Sequence, residues 1–456
     1  MKTGTAYAAA LVVVLATGTA AGGIIHVPDD YPSIKEAIAA SAETDTVLVA
    51  PGTYTGPDNL SITIEDRHFV LTSEGGPENT VIDGGGASYA FMLSGIPSTA
   101  LLEGFTIRNC SYATGGAIHF GDDVNLTIRE CCFLDNVAED KGGAVYSVSG
   151  TAPVFEECRF GRNQSGGAGG AVYIDETGAA GVTFRSCVFT DNAASAGGAI
   201  YSQSNASIYL VDCGFAGNLA EGSGGAIGLS GYEFSAVAHA TSCSFVDNHA
   251  DYAGGALYTN YGGIDLHNCY LADNSAGSKG GAVRSLSWAE LEGCTLVGNT
   301  AGTHGGALWL SSFESPPIVG CTFVSNASPL GGGVWFGGGA GDPVVENTVI
   351  AFSTEGAAVS LDPGAQVHLS CCDLYGNAGG DWTGAIADQL GQNGNISEDP
   401  LFCMETSSLS PWTLQSDSPC APGNSGACGL IGAWPVDCTP TLVESRSWGQ
   451  IKAMYR

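Results

Sequence analysis

The chain of 456 residues carries 68 glycines, and its 14 Lys and Arg face 46 Asp and Glu for a net charge of −32. Phosphate binding needs clustered basic side chains, so this balance excludes a nucleic-acid partner and an anionic membrane surface. With 44% hydrophobic residues the chain can bury a large core, which excludes bulk disorder, and 18 prolines without a triplet glycine period exclude collagen.

At the start, Lys2, an apolar stretch from Ala6 to Ala16 and the small residues Thr17 to Gly22 follow the order of a secretory signal peptide over residues 1–21. No later stretch is apolar for long enough to span a bilayer, so no transmembrane segment is expected in the mature chain. Next, Ser33-Ile34-Lys35-Glu36 fits a capping box, and Ile34, Ala37 and Ile38 form a helical stripe. The pattern predicts a short capping helix, then strands at Thr46–Val49, Ser61–Ile64, Phe69–Thr72 and Thr80–Ile82.

From Gly115 onward the sequence repeats. Gly-Gly-Ala followed by Ile, Val or Leu begins at Gly115, Gly142, Gly169, Gly197, Gly224, Gly254, Gly280 and Gly305, at steps of about 25–30 residues, with degenerate copies at Gly331 and Gly356. Between them lies Cys-x-(Phe/Leu)-x-x-Asn, beginning at Cys131, Cys158, Cys187, Cys213, Cys243, Cys269, Cys294 and Cys321 and, one unit later than expected, at Cys372. Each unit thus holds three short apolar segments of period two, too short for amphipathic helices and unable to bury a face alone. Stacked in parallel they form an all-β fold, a right-handed parallel β-helix solenoid of about a dozen rungs. Aliphatic, Phe and Cys residues then stack in files inside, and Asn stacks in a file at a turn. Stacked cysteines sit about one strand spacing apart, just beyond disulfide range, so the inner thiols are expected to be inert packing.

Residues 22–380 are read as the β-helix with its N-terminal cap and 381–438 as a C-terminal cap. Cys403, Cys420, Cys428 and Cys438 crowd into that cap and are expected to form two disulfides of open pairing. Residues 439–456 form a tail of different character, with Arg446, Lys452 and Arg456 among Trp448, Ile451, Met454 and Tyr455.

The opening Val27-Pro28-Asp29-Asp30-Tyr31-Pro32-Ser33-Ile34 and the later Val49-Ala50-Pro51-Gly52-Thr53-Tyr54 resemble the N-terminal entry of the pectin-lyase-like β-helix superfamily. The Gly-Gly-Ala-Ile and Phe-x-x-Asn units are similar to repeats of chlamydial polymorphic outer-membrane proteins. These resemblances imply the β-helix fold and, for the second family, display on a bacterial envelope as an adhesin. Enzymatic signatures of the first are incomplete. Gly52-Thr53-Tyr54-Thr55-Gly56 lacks the Glu of the esterase-like motif, Asn347-Thr348-Val349 lacks a carboxylate, and Thr303-His304-Gly305 only approaches Gly-His-Gly.

The residue after each Gly-Gly-Ala-(Ile/Val/Leu) should point outward. Tyr146, Tyr173, Tyr201, Tyr258, Trp309 and Trp335 occupy six of these positions, beside His119, Gly228 and Arg284. An exposed aromatic file would be a platform for sugar rings, which makes the six the carbohydrate-binding candidates. The competing reading is that the rings stack on one another and stiffen the sheet. At the turn before each Asn, the order Asp135, Arg162, Asp191 alternates in charge. Asp247 over Asp273 does not, so these two are the calcium candidates, and no cofactor is required. The eight histidines show no triad or metal spacing. The sequence therefore reads as a secreted or cell-surface protein, for adhesion or polysaccharide binding without catalysis. The alternative is a polysaccharide lyase or hydrolase with an atypical site on the outer face of the helix.

Overall fold

The computed structural model describes residues 22–148, 150–176, 181–231, 236–311, 317–338, 341–403 and 411–438; the expected signal peptide and the tail lie outside them. The chain winds as a right-handed parallel β-helix of about 13 turns. Its strands assemble into sheets of 14, 13, 12 and 8 strands, every ladder parallel and joining equivalent positions of successive turns. One turn runs, for example, through Ile118–Phe120 in the 12-stranded sheet, Thr127–Arg129 in the 14-stranded sheet, Cys132–Leu134 in the 13-stranded sheet and Val137–Lys141 in the 8-stranded sheet. The fourth sheet was not among the three segments expected per unit. Most of its strands have two residues, one buried, in a file of Ala194, Ala220, Ala250, Ala276 and Ala301. Alanine is too weak a hydrophobic signal to stand out beside Ile, Val and Phe.

Three corners per turn explain the glycine and Asx content. The residues before the inner Cys (Glu130, Glu157, Ser186, Asp212) and before the turn Asn (Asp135, Arg162, Asp191, Asp247, Asp273) have φ between 50° and 56°. The first Gly of each intact Gly-Gly-Ala has φ between 57° and 72°. Left-handed backbone is cheapest for Gly, Asn and Asp. At the second Gly the reason is close approach: a Cβ on Gly198 would lie 2.1 Å from the Gly225 carbonyl oxygen.

Inside, Phe133, Phe160, Phe189, Phe215 and Phe245 stack with centroids 4.6–4.9 Å apart. The cysteines from Cys158 to Cys321 stack beside them, buried and unpaired in disulfides. The Asn file is buried, and its amides form a continuous ladder. Asn218 Nδ2 donates to Asn248 Oδ1 at 2.9 Å and to the Phe189 carbonyl at 3.0 Å, and the pattern repeats from Asn136 to Asn326. The gap before Cys372 is a substituted copy. Thr348 takes the Cys position, its Oγ1 accepting from Cys321 N at 3.2 Å, and buried Ser353 takes the Asn position.

The helix forms over Ile34–Ala40, with Ser33 Oγ accepting from Glu36 N at 3.2 Å and Ile34, Ala37 and Ile38 buried. At the far end, side chains stand in for the missing next rung. Gln389 Oε1 accepts from Leu369 N at 2.9 Å, Asn395 Oδ1 accepts from Cys372 N at 3.0 Å, and Asp381 accepts from Asn377 N at 2.9 Å. The edge therefore offers few free groups for strand addition.

The C-terminal cap differs from expectation in two ways. It folds back along the outer face of the 13-stranded sheet, where Phe402, Leu414 and Ile431 pack on Val324, Val349 and Ala351. Trp434 Nε1 reaches Thr295 Oγ1 at 2.7 Å. The disulfides are Cys371–Cys428 and Cys403–Cys438. Of the four expected partners Cys420 is unpaired: it is buried, and its thiol donates to Asp373 Oδ2 at 3.2 Å. Cys371, the neighbour of the inner Cys372 and expected to face outward, sits at a corner with φ 51° and pairs with the cap.

Candidate functional site

The 12-stranded sheet carries the aromatic file in register. His119, Tyr146, Tyr173 and Tyr201 stack at 4.9, 5.6 and 5.7 Å between centroids. The file is less exposed than strand alternation predicts: Tyr173, Trp309 and Trp335 are buried, and Tyr146, Tyr201 and Tyr258 are half-buried. At the three buried rings the cause is the residue just before the Gly-Gly pair of the preceding rung, which leans over the ring. Lys141 lies 4.6 Å from the Tyr173 ring, Lys279 lies 4.8 Å from the Trp309 ring, and His304 meets the Trp335 ring at 4.4 Å. Tyr201 fills the space left by Gly228, where a Cβ would meet its ring at 2.8 Å. Burial lifts the Tyr146, Tyr173 and Tyr258 hydroxyls above the usual tyrosine range.

The charges along this face are not equivalent. Lys141 is paired with Asp175 at 3.7 Å. Arg284 is inserted into the file, its guanidinium 5.4 Å from the Tyr258 ring, 5.0 Å from Trp309 and 5.3 Å from the exposed Tyr252. It is only 7% exposed, has no ion pair among the described residues, and its Nε has no hydrogen-bond partner. Nearby, Trp309 Nε1 and His304 Nδ1 are also buried without partners. Burial and the neighbouring Lys279 hold the His304 imidazole below its usual range. Cation–π contact contributes roughly 0.5–2 kcal/mol, whereas desolvating an unpaired cation costs several kcal/mol. The rings alone do not offset that cost.

A second cluster lies on the outer face of the 14-stranded sheet. Tyr209, His239, Asp265 and Glu290 are in register on successive rungs, as are Thr241, His267 and Glu292. His239 Nδ1 meets Asp265 Oδ2 at 2.8 Å, His267 Nε2 approaches Asp265 Oδ1 at 2.8 Å, and His267 Nδ1 approaches Glu292 Oε2 at 3.1 Å. Only the first is an aligned hydrogen bond. Tyr209 stacks on His239 with centroids 5.1 Å apart. A histidine with Nδ1 on a carboxylate can present the other ring nitrogen as a base. Sequence reasoning missed this cluster because it sought fixed histidine spacings within the chain. The signal lay at fixed offsets, four and two residues before each motif Cys. Upstream the same face carries the pairs Arg129–Glu103 at 2.6 Å and Arg185–Glu156 at 3.3 Å.

Asp247 and Asp273 occupy equivalent corners of successive rungs, both with φ 55°. Among the described residues no group of three or more His, Cys, Asp or Glu is placed to hold a metal ion.

Fold and repeat chemistry define a right-handed parallel β-helix protein. The family model described as right handed beta helix region matches residues 69–220. The Chlamydia polymorphic membrane protein repeat matches residues 242–260. No curated protein matches the chain. Among solved structures it is similar to a mannuronic acid specific polysaccharide family 6 lyase from human gut microbiota, at 13% identity and TM-score 0.43, over 85% of this chain and 88% of that one. It is also similar to pectate lyase Pel9A, at 12% identity and TM-score 0.34, over 92% and 98% of the two chains. A third is tailspike protein 3 of bacteriophage CBA120, at 12% identity and TM-score 0.38, over 74% and 58%. No helix among the described residues is long and apolar enough to cross a membrane.

Proposed function

We propose that this chain is a secreted or cell-surface β-helix that binds polysaccharide on its outer face without cleaving it, an adhesion role. The observation that carries the reading is the cation-backed aromatic file, in which half-buried Tyr201 and Tyr258 keep ring surface at the face while Lys141 covers Tyr173 and Lys279 covers Trp309. Sugar C–H faces pack on such rings, and hydroxyls find polar partners beside them. The test is affinity electrophoresis on immobilised polysaccharides. Tyr201→Ala and Tyr258→Ala should weaken retention several-fold with melting temperature preserved, whereas Tyr173→Ala, at a buried ring, should lower stability. Retention unchanged in the first two variants sinks the reading and leaves the rings as a stiffening stack.

A second reading, lyase or hydrolase action, is favoured by one observation, the Tyr209–His239–Asp265–His267–Glu292 cluster. Incubation with acidic and neutral polysaccharides, with and without calcium, distinguishes the two. Release of unsaturated products or reducing ends, lost in His239→Ala, would replace binding by catalysis. Calcium belongs in the test because Asp247 and Asp273 are acidic residues at equivalent corners of successive rungs.

A further inference from the structure

We infer that Arg284 and Lys279 form an anion subsite on the 12-stranded sheet that takes the carboxylate or sulfate of an acidic saccharide, with the exposed Tyr252 ring against the sugar. This rests on the polysaccharide-binding reading above and narrows it to acidic ligands.

Three observations carry it. First, the two cations are within 4.8 and 5.0 Å of one indole ring, so like charges share a face, and among the described residues no carboxylate is paired to either. This holds in a chain where 46 acidic residues outnumber 14 basic ones. Among the described basic residues Arg108, Arg129, Lys141, Arg162 and Arg185 have ion pairs and Arg67 donates to the Ile38 and Ser41 carbonyls, whereas Arg284 is buried with no ion pair. Second, two buried donors, Arg284 Nε and Trp309 Nε1, are without acceptors in the same neighbourhood among the described residues. A guanidinium fork matches a two-oxygen acceptor, and an oxyanion brought from outside would satisfy both charge and hydrogen bonding. Third, the rings choose the ligand. A net charge of −32 opposes the approach of small anions from solution. An anion that binds must therefore bring apolar contact with it. Tyr252, 53% exposed, stands at the rim of the guanidinium site and offers that contact.

The experiment is isothermal titration calorimetry of the full chain with three tetrasaccharides: oligogalacturonate, its fully methyl-esterified form, and a sulfated galactan fragment. The acid or the sulfated form should bind at least tenfold tighter than the neutral ester, and whichever is tighter identifies the anionic group. Arg284→Gln should remove that preference while leaving ester binding as it was, and Lys279→Gln should reduce it partially. Because Gln replaces a buried unpaired cation, the melting temperature of Arg284→Gln should equal or exceed that of the parent, so lost affinity is not lost folding. Equal binding of acid, sulfated form and ester by the parent overturns the inference and leaves the polysaccharide reading standing. So does an anionic preference that survives in both variants. Binding of none of the three overturns the polysaccharide reading as well.

Discussion

At a ladder position such as Asn218 the side chain accepts from Asn192 N and Nδ2 at 3.1 and 3.0 Å and donates to Asn248 Oδ1 and Phe189 O. Replacing it by Ala leaves several buried groups unsatisfied, each costing about 1–3 kcal/mol. Asn218→Ala should therefore lower unfolding free energy by roughly 3–5 kcal/mol, read from urea denaturation. Cys213→Ala, which loses one packed sulfur, should cost about 1 kcal/mol. Equal costs would show that the ladder adds nothing beyond packing. The cysteines allow a pH test. Burial raises the Cys110, Cys131 and Cys372 thiols to about 12 and lifts Cys187 and Cys294 well above their usual range. Only the thiolate is alkylated, so a raised value extends protection toward higher pH. Burial raises the Cys132 thiol too, but it is the one incompletely buried free thiol among the described residues, so as pH rises iodoacetamide should label Cys132 first and the others only after unfolding, as read by mass spectrometry.

At the scale of elements, the C-terminal cap turns an outward position into a buried one. Asp373 follows Val349 in the ladder and would face solvent on a bare sheet, but the cap leaves it fully buried against Cys420 and Glu398 N. Burial raises its carboxyl to about 7. The folded chain then holds a proton that the unfolded chain releases near pH 4, so this residue's contribution to stability falls as pH rises from about 4 to 7 and is level above. Asp373→Asn removes that slope. Relative to the parent it should gain stability progressively between pH 4 and pH 8, by up to a few kcal/mol in denaturant titrations, and a constant difference across that range would contradict the burial argument. This element also marks how far the sequence could be read. Helix, rungs, inner Cys and Phe files and the turn Asn were legible because each has a local period. The disulfide partner Cys371 was not, since its pairing depends on the cap folding back over rungs already counted as solenoid. The Arg284 site was half legible: alternation put Arg284 outward, but the lean of Lys279 over the next rung depends on three-dimensional register. His239, Asp265, His267 and Glu292 stand at fixed offsets from the motif Cys, but their residue types do not repeat from rung to rung, so they read as one cluster only once strands are aligned.

For the whole molecule, stability is a sum over rungs and their interfaces, and each rung touches chiefly the next. Ala168 pairs in parallel with Ala196, so these two residues are equivalent points on successive turns. Deleting residues 169–196 joins Ala168 directly to Gly197 and removes one turn without altering any file: Val145 would then meet Ile200, Phe160 would meet Phe215 and Asn163 would meet Asn218. Such a variant should fold with parent-like circular dichroism and melt within about 5 °C of the parent, because it forfeits one repeat and no contact type. It should also keep the Arg284 face, which lies downstream of the junction. Deleting only residues 169–182 removes a strand of the 12-stranded sheet and leaves the rest of that turn in place. The chain between Ala168 and Thr183 then cannot close its corner, the Gly-Gly-Ala contacts are lost on both neighbouring rungs, and cooperative melting should disappear. If the shorter deletion is tolerated as well as the full-turn one, the rung is not the unit of stability, and the files of stacked side chains are a consequence of the fold and not its cause.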